Sequence, residues 1–246
     1  MMRRAAYFLY GVLNYVVFLG VFLYLVGFLL ELGVPKTIDS GDPGSLGLAL
    51  FVNISLLGLF GLQHSVMARP GFKAWWTKIV PEPLERSTYV LLSNALVILL
   101  SLFWRPMPTP VWVVESSLGV IAVNTLFASG VGLLLYSSFL IDHFDLFGLR
   151  QVYLELRQRP YQGKPFGTPA LYRALRHPIY LGWIIMFWAT PSMTYGHLLF
   201  AGIWTAYILI AIPFEDRDLL DHFGDTHRSW SDRTHALIPL LGRRRS

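Results

Sequence analysis

The sequence predicts an all-α, polytopic integral membrane protein, on three observations. Of its 246 residues, 54% are apolar and only 14% are charged, where soluble proteins carry about a quarter charged. Five stretches, 5–30, 43–68, 87–104, 116–141 and 178–214, hold no Asp, Glu, Lys or Arg. The basic residues also sort to one side of those stretches, 18 of 20. This composition excludes a disordered chain, a fibrous repeat and an ordinary soluble enzyme domain. The absence of Cys excludes disulfide scaffolds, thiolate metal sites and a cysteine nucleophile.

A spanning helix needs about 20 apolar residues. The first, second and fourth stretches are long enough and predict spans over 7–30, 46–67 and 117–140. The third is short but sufficient and predicts a span over 88–104. The fifth is too long for one helix and short for two. Pro191, Ser192, Thr194 and Gly196 break it at its centre. It reads as a membrane hairpin, 179–190 and 196–213, whose first arm covers only about 20 Å. The remainder, 214–246, reads as a short cytoplasmic tail, and 1–246 as a single domain. The first stretch is longer than the apolar core of a signal peptide and has no obvious small-residue cleavage site, so it reads as a retained helix.

Only Lys36 and Arg105 fall on the side opposite the other cations. The positive-inside rule then places both termini in the cytoplasm of a bacterial inner membrane. The formal charge of +5 is thereby read as topology, with membrane lipids as partners and no nucleic acid. Arg243, Arg244 and Arg245 read as a headgroup anchor.

Polar groups gather at the cytoplasmic helix ends: Gln63 and His64, Tyr89, then Asp142, His143 and Asp145, then Arg176 and His177, then Glu215, Asp216, Arg217 and Asp218. The external ends read as offering mainly Glu31, Asp39, Asp42 and Glu115, without a histidine. Ionisable groups near membrane depth are costly and are functional candidates for that reason. Bland readings stand beside these. His64 could bond a neighbouring helix, and Asp142 and His143 could simply end one. Asn14, Asn53, Asn94 and Asn124 read as interhelical hydrogen bonding. The stretch 128–132, with Gly130, reads as a close-packing surface. His222, Asp225, His227 and His235 are spaced too irregularly for a metal site and read as solvated tail, with no metal expected.

The sharpest local pattern is RHPIYLG at 176–182. Pro178 suits the first turn of a helix and keeps His177 extended. Amide groups and a positive dipole end then lie beside Arg176, a geometry suited to a carboxylate. The hairpin must return 213–219, with its acids, next to this entry.

RHPIYLG, a membrane hairpin and then an acidic stretch ending in FG and an aromatic resemble the isoprenylcysteine carboxyl methyltransferase-like membrane superfamily. In EDRDLLDHFGDTHRSW, 215–230, Asp216, His227 and Trp230 stand where that pattern has a second Glu and two Tyr. GLQHSVMARPGFKAWWTKIVPEPLERSTYVLLSN at 61–94, WRPMP at 104–108 and IDHFDLFGLRQVY at 141–153 resemble the bacterial methanethiol S-methyltransferase family and its NnrU-like relatives. The resemblance implies methyl transfer from S-adenosylmethionine, with S-adenosylhomocysteine as product, to the small thiol methanethiol, giving dimethyl sulfide. It implies that His177, Pro178 and Tyr180 line the cofactor pocket. Arg176 would meet the cofactor carboxylate or the tail, Glu215 the cofactor amine or ribose, and Arg217 would hold Glu215 or the tail. A thiol needs a base to become the nucleophilic thiolate. Asp142 and His64 are candidates, with Tyr89 orienting the base; position alone does not choose among Asp142, His143 and His64. A lipid or prenylated acceptor, and a non-catalytic NnrU-like role in nitrogen-oxide metabolism with a His64-ligated haem, stay open at this level.

Overall fold

The computed structural model describes residues 1–237; Arg243, Arg244 and Arg245 lie outside the described residues. In chain order the helices are α1 (Met2–Leu30), α2 (Leu46–Ala68), α3 (Pro70–Trp76), α4 (Glu85–Phe103), α5 (Ser117–Ile141), α6 (His143–Leu146), α7 (Leu149–Leu156), α8 (Pro178–Trp188), α9 (Tyr195–Phe223) and α10 (Asp225–Ser231). Two short strands, β1 (Pro110–Val113) and β2 (Ser192–Thr194), form a two-stranded sheet. Helices α1, α2, α4 with its leading turn, α5 and α9 are each long and apolar enough to cross a membrane. The protein is mostly helical and integral to a membrane.

The described chain forms two compact units. The first comprises 1–109, 143–162 and 194–197. Here α1 packs beside α4 and α7, and α2 beside α4. A Cβ on Gly11 of α1 would sit 2.5 Å from the fully buried Val152 of α7, so only glycine lets those helices approach. Gly148, at φ 84°, turns the chain against the backbone of Ser87. Of the four asparagines read as interhelical, Asn53 ties α2 to the chain just past the end of α4. Its side chain accepts from the Arg105 amide (2.8 Å) and donates to the Arg105 carbonyl (2.7 Å). Asn14 instead donates within its own helix, to the Tyr10 carbonyl, and Asn124 is exposed.

The second unit comprises 110–142, 163–193 and 198–246. Its centre is α5 against α8. A Cβ on Gly182 would meet the Gly130 carbonyl and the Leu134 amide at 2.8 Å, and one on Gly130 would meet the Gly182 carbonyl at 3.0 Å. The close-packing reading of Gly130 holds, and the final glycine of RHPIYLG is its counterpart. The Trp188 indole donates to Thr205 Oγ1 (2.9 Å), tying α8 to α9.

The break in the fifth apolar stretch falls where expected, but as a strand rather than a plain turn. Backbone leaving a helix within a membrane must find partners in the protein. Here the Val114 amide donates to the Pro191 carbonyl (2.8 Å) and the Trp112 indole to the Thr190 carbonyl (3.3 Å). The tail reading is corrected at one point. Helix α9 runs on through Pro213 to Phe223, although an interior proline costs a helix about 3 kcal/mol. Glu215, Asp216 and Arg217 therefore stand on a rigid helix and not on a loop.

Candidate functional site

Each unit carries a polar cluster. In the second unit, Pro178 occupies the first turn of α8 and His177 precedes it, as the sequence implies. The His177 ring is buried, at 5% exposure, and stacks on Tyr180 at 5.4 Å. Its Nε2 lies 3.0 Å from Asp216 Oδ1, whereas its Nδ1 is 3.7 Å from Glu215 Oε2. The close partner is thus Asp216, which the sequence reading placed among the acids returning to this entry without giving it a role in the pocket. Glu215 Oε2 is buried without a hydrogen-bond partner among the described residues.

Arg176 does meet the tail. It donates to the Ser231 carbonyl (2.8 Å), stands 3.4 Å from Asp216 Oδ2, and keeps a buried Nε without a partner among the described residues. The tail is held in turn by backbone bonds from the Arg176 amide to the His235 carbonyl and from the His177 amide to the Ala236 carbonyl. The Trp230 indole donates to the Tyr172 carbonyl (2.7 Å). Positive φ at Gly224 (57°) lets the chain leave α9 and fold α10 back.

This return corrects a second reading. His222 and Asp225 are exposed, as expected of a solvated tail, but His227 is only 2% exposed. Neither ring nitrogen of His227 has a hydrogen-bond partner among the described residues. Burial pushes its imidazole below the ordinary value, with Asp216 opposing that shift, so the ring is neutral near pH 7 and offers one donor and one acceptor. The available signal was Gly224, a turn residue that sends the following helix back toward α9. A cavity of about 480 Å³ is lined by Arg176, Asp216, Arg217, Leu220, His227, Arg228, Ser231 and Asp232. That size lies within the usual range for small-molecule sites.

Asp142, also in this unit, ends α5 and is ion-paired with Lys164 at 2.7 Å. In the first unit, His64 and Tyr89 come together. The imidazole stacks on Phe60 (5.0 Å, 17°) and lies 5.0 Å from the Tyr89 ring. The Tyr89 hydroxyl donates to the His64 carbonyl at 3.4 Å, and His64 Nδ1 is 3.3 Å from Ser93 Oγ. His143 is buried, with Nε2 2.8 Å from the Tyr15 hydroxyl and its ring packed against Phe144 and Phe147. At the far ends of the spans, His197 is 1% exposed and its amide donates to Thr194 Oγ1, whose hydroxyl donates to Asp39. The reading of those ends as lacking a histidine is therefore corrected.

No family model matches the chain, and no solved structure matches it. Curated relatives do. The chain is 49% identical over 247 residues to methanethiol S-methyltransferase 2 of Bradyrhizobium diazoefficiens, covering 100% of this chain and 94% of that one. It is 46% identical to the methanethiol S-methyltransferase of Crocosphaera subtropica, over 99% and 95% of the two chains. It is 49% identical to that of Mycobacterium tuberculosis, over 97% and 98%. With identity of this level along nearly the whole of both chains, the protein belongs to the methanethiol S-methyltransferase family.

Proposed function

We propose that this chain is a single-domain S-adenosylmethionine-dependent methyltransferase of the bacterial inner membrane that converts methanethiol to dimethyl sulfide. The observation that carries the cofactor is the donor set of the α9–α10 cavity. Arg176, Arg217 and Arg228 suit a carboxylate, while Asp216 and Asp232 suit an ammonium or ribose hydroxyls. The unpartnered Arg176 Nε, Glu215 Oε2 and His227 nitrogens are polar atoms whose burial is costly until something bonds them. Such a mixed set fits an amino-acid zwitterion joined to a nucleoside. When bound, the cofactor supplies a methyl group on an electrophilic sulfonium.

In this reading Asp216 fixes the His177 ring and Arg176 together, while Tyr180 stacks on His177 and holds that wall of the pocket. Pro178 sets the approach of the chain into α8. Glu215 and Arg217 contribute a carboxylate and a guanidinium at the pocket rim. The thiol proton must be taken up before the sulfur attacks. Each unit offers one candidate base, His64 in the first and Asp142 in the second, and the Lys164 ion pair already engages Asp142, which supports His64. Ser93 meets the His64 ring at Nδ1, and the Phe60 and Tyr89 rings pack against it. A site from which water is excluded favours a reaction in which a thiolate and a sulfonium become neutral products.

The test is headspace gas analysis of purified protein given methanethiol and S-adenosylmethionine. Dimethyl sulfide should form, and His64→Ala should lose about 10² to 10⁴ in turnover while calorimetry shows the cofactor still bound. Failure to make dimethyl sulfide, with cofactor binding intact, would sink the acceptor; failure of both would sink the enzyme reading.

A further inference from the structure

Lys36 and Arg105 stand apart from the 18 cations at the other helix ends. Both belong to the first unit, and both are held in place. Lys36 Nζ donates to the Leu102 carbonyl at 2.9 Å, and the Tyr24 hydroxyl donates to the Lys36 carbonyl at 3.2 Å. Arg105 is clamped at both backbone polar groups by Asn53, which is itself fully buried. Among the described residues neither cation has a carboxylate within ion-pair distance. Burial, with repulsion from Arg105 added, holds the Lys36 ammonium below its ordinary value. The exposed Arg105 side chain and the anchored Lys36 ammonium are two like charges, an electrostatic cost that an anion between them would remove.

Beneath them lies a groove of about 280 Å³ between the outer halves of α1 and α4. It is lined by Val17, Gly20, Val21, Tyr24, Ile98, Ser101 and Leu102. Tyr24 and Leu102 belong to both features, so the groove runs up to the cation pair without a gap. Gly20 has no heavy atom within 4 Å of where a Cβ would sit. The glycine thus serves no helix contact, and what it does is leave the groove open. From Val17 to Tyr24 the groove is about 10 Å deep, the depth reached by much of one acyl chain within a leaflet.

We propose that this groove and its cation pair form a binding site for one anionic phospholipid, the phosphate between Lys36 and Arg105 and one acyl chain along Gly20. A zwitterionic lipid would carry its own ammonium to the two cations and be disfavoured. A second protein copy would supply an apolar helix for the groove but would leave the cations uncompensated. The inference is independent of the methyl-transfer reading.

Native mass spectrometry of the full chain, loaded with phosphatidylglycerol or phosphatidylcholine, tests it. The wild type should retain one phosphatidylglycerol with a preference of roughly tenfold over phosphatidylcholine. Lys36→Gln with Arg105→Gln should abolish that preference. Gly20→Leu, which meets open space and improves helix propensity, should lower retention of both lipids and leave the preference standing. Equal retention of the two lipids by the wild type would overturn the site, as would a preference untouched by the double variant. Unchanged retention in Gly20→Leu would overturn the acyl seat. A dimer dissociated by Gly20→Leu would give the groove to a second copy and overturn the lipid.

Discussion

The pairing of His177 with Asp216 and not with Glu215 turns on one residue of helix rotation. Adjacent positions on a helix point about 100° apart, so an acidic pair in the sequence nominates both and geometry selects one. Asp216→Asn should weaken cofactor affinity more than Asp218→Asn, because Asp216 holds both Arg176 and His177; isothermal calorimetry measures the difference, and equal affinities would remove Asp216 from the pocket. Asp39 gives a pH prediction at the same scale. Burial raises its carboxyl to about 6, with the Thr194 hydroxyl opposing and Glu31 adding to the shift. A carboxyl raised in the folded state binds more protons there than in the unfolded chain. Stability should therefore fall as pH rises from about 4 to about 6, and the penalty is complete above that. Asp39→Asn keeps an acceptor for Thr194 and removes the charge. Its thermal midpoint in detergent should exceed the wild type by a few degrees at pH 7.5 and fall less steeply than the wild type's between pH 4 and 6, whereas a lower midpoint at pH 7.5 would contradict this account.

At the scale of elements, contact between α5 and α8 is backbone against backbone. Gly182→Ala places a methyl group 2.8 Å from the Gly130 carbonyl, and backbone cannot move aside as a side chain can. A loss of about 1–3 kcal/mol is expected, as for overpacking, measured as a lower unfolding midpoint; Gly132→Ala, in open space on α5, should cost nothing. The long helices were legible because the absence of charge over some twenty residues is a strong, local signal, and α2 and α5 start and stop within a few residues of expectation. The strands were not legible: β1 and β2 span four and three residues, too few for any periodicity, and exist because each satisfies the other's backbone. Continuation of α9 past Pro213 was hidden for the opposite reason. The local rule predicts a stop, yet the helix continues and carries Asp216 to Arg176 and His177. His227 was read as solvated because its neighbours His222 and Asp225 are; burial depends on where α10 folds back, which spacing alone does not encode.

For the whole molecule, the charge asymmetry predicts orientation. The chain lacks cysteine, so single cysteines report topology without background. Cysteines at Asp42 and Glu115 should react with a membrane-impermeant maleimide in intact cells, and cysteines at Gly163 and Ser246 should react only after permeabilisation. The reverse pattern would invert the protein and place the α9–α10 cavity on the side without cytosolic S-adenosylmethionine. The zero-cysteine background also means that thiol reagents leave the protein chemically untouched, so inhibition of activity by such a reagent would report on the substrate.

The length of α8 has a consequence for biosynthesis. Eleven residues rise only roughly 16 Å, half of what a self-sufficient span needs, so this segment has little tendency to leave the translocon for lipid unaided. Its partner α5 precedes it in the chain and is a full-length span. When α8 emerges, the glycine face of α5 is already in the bilayer to receive it, and insertion becomes a docking step with a template. In nascent chains arrested after α8, a photoreactive residue near Gly182 should cross-link to α5. With leucine at Gly130 the cross-link should vanish and the segment should remain accessible from the cytosol.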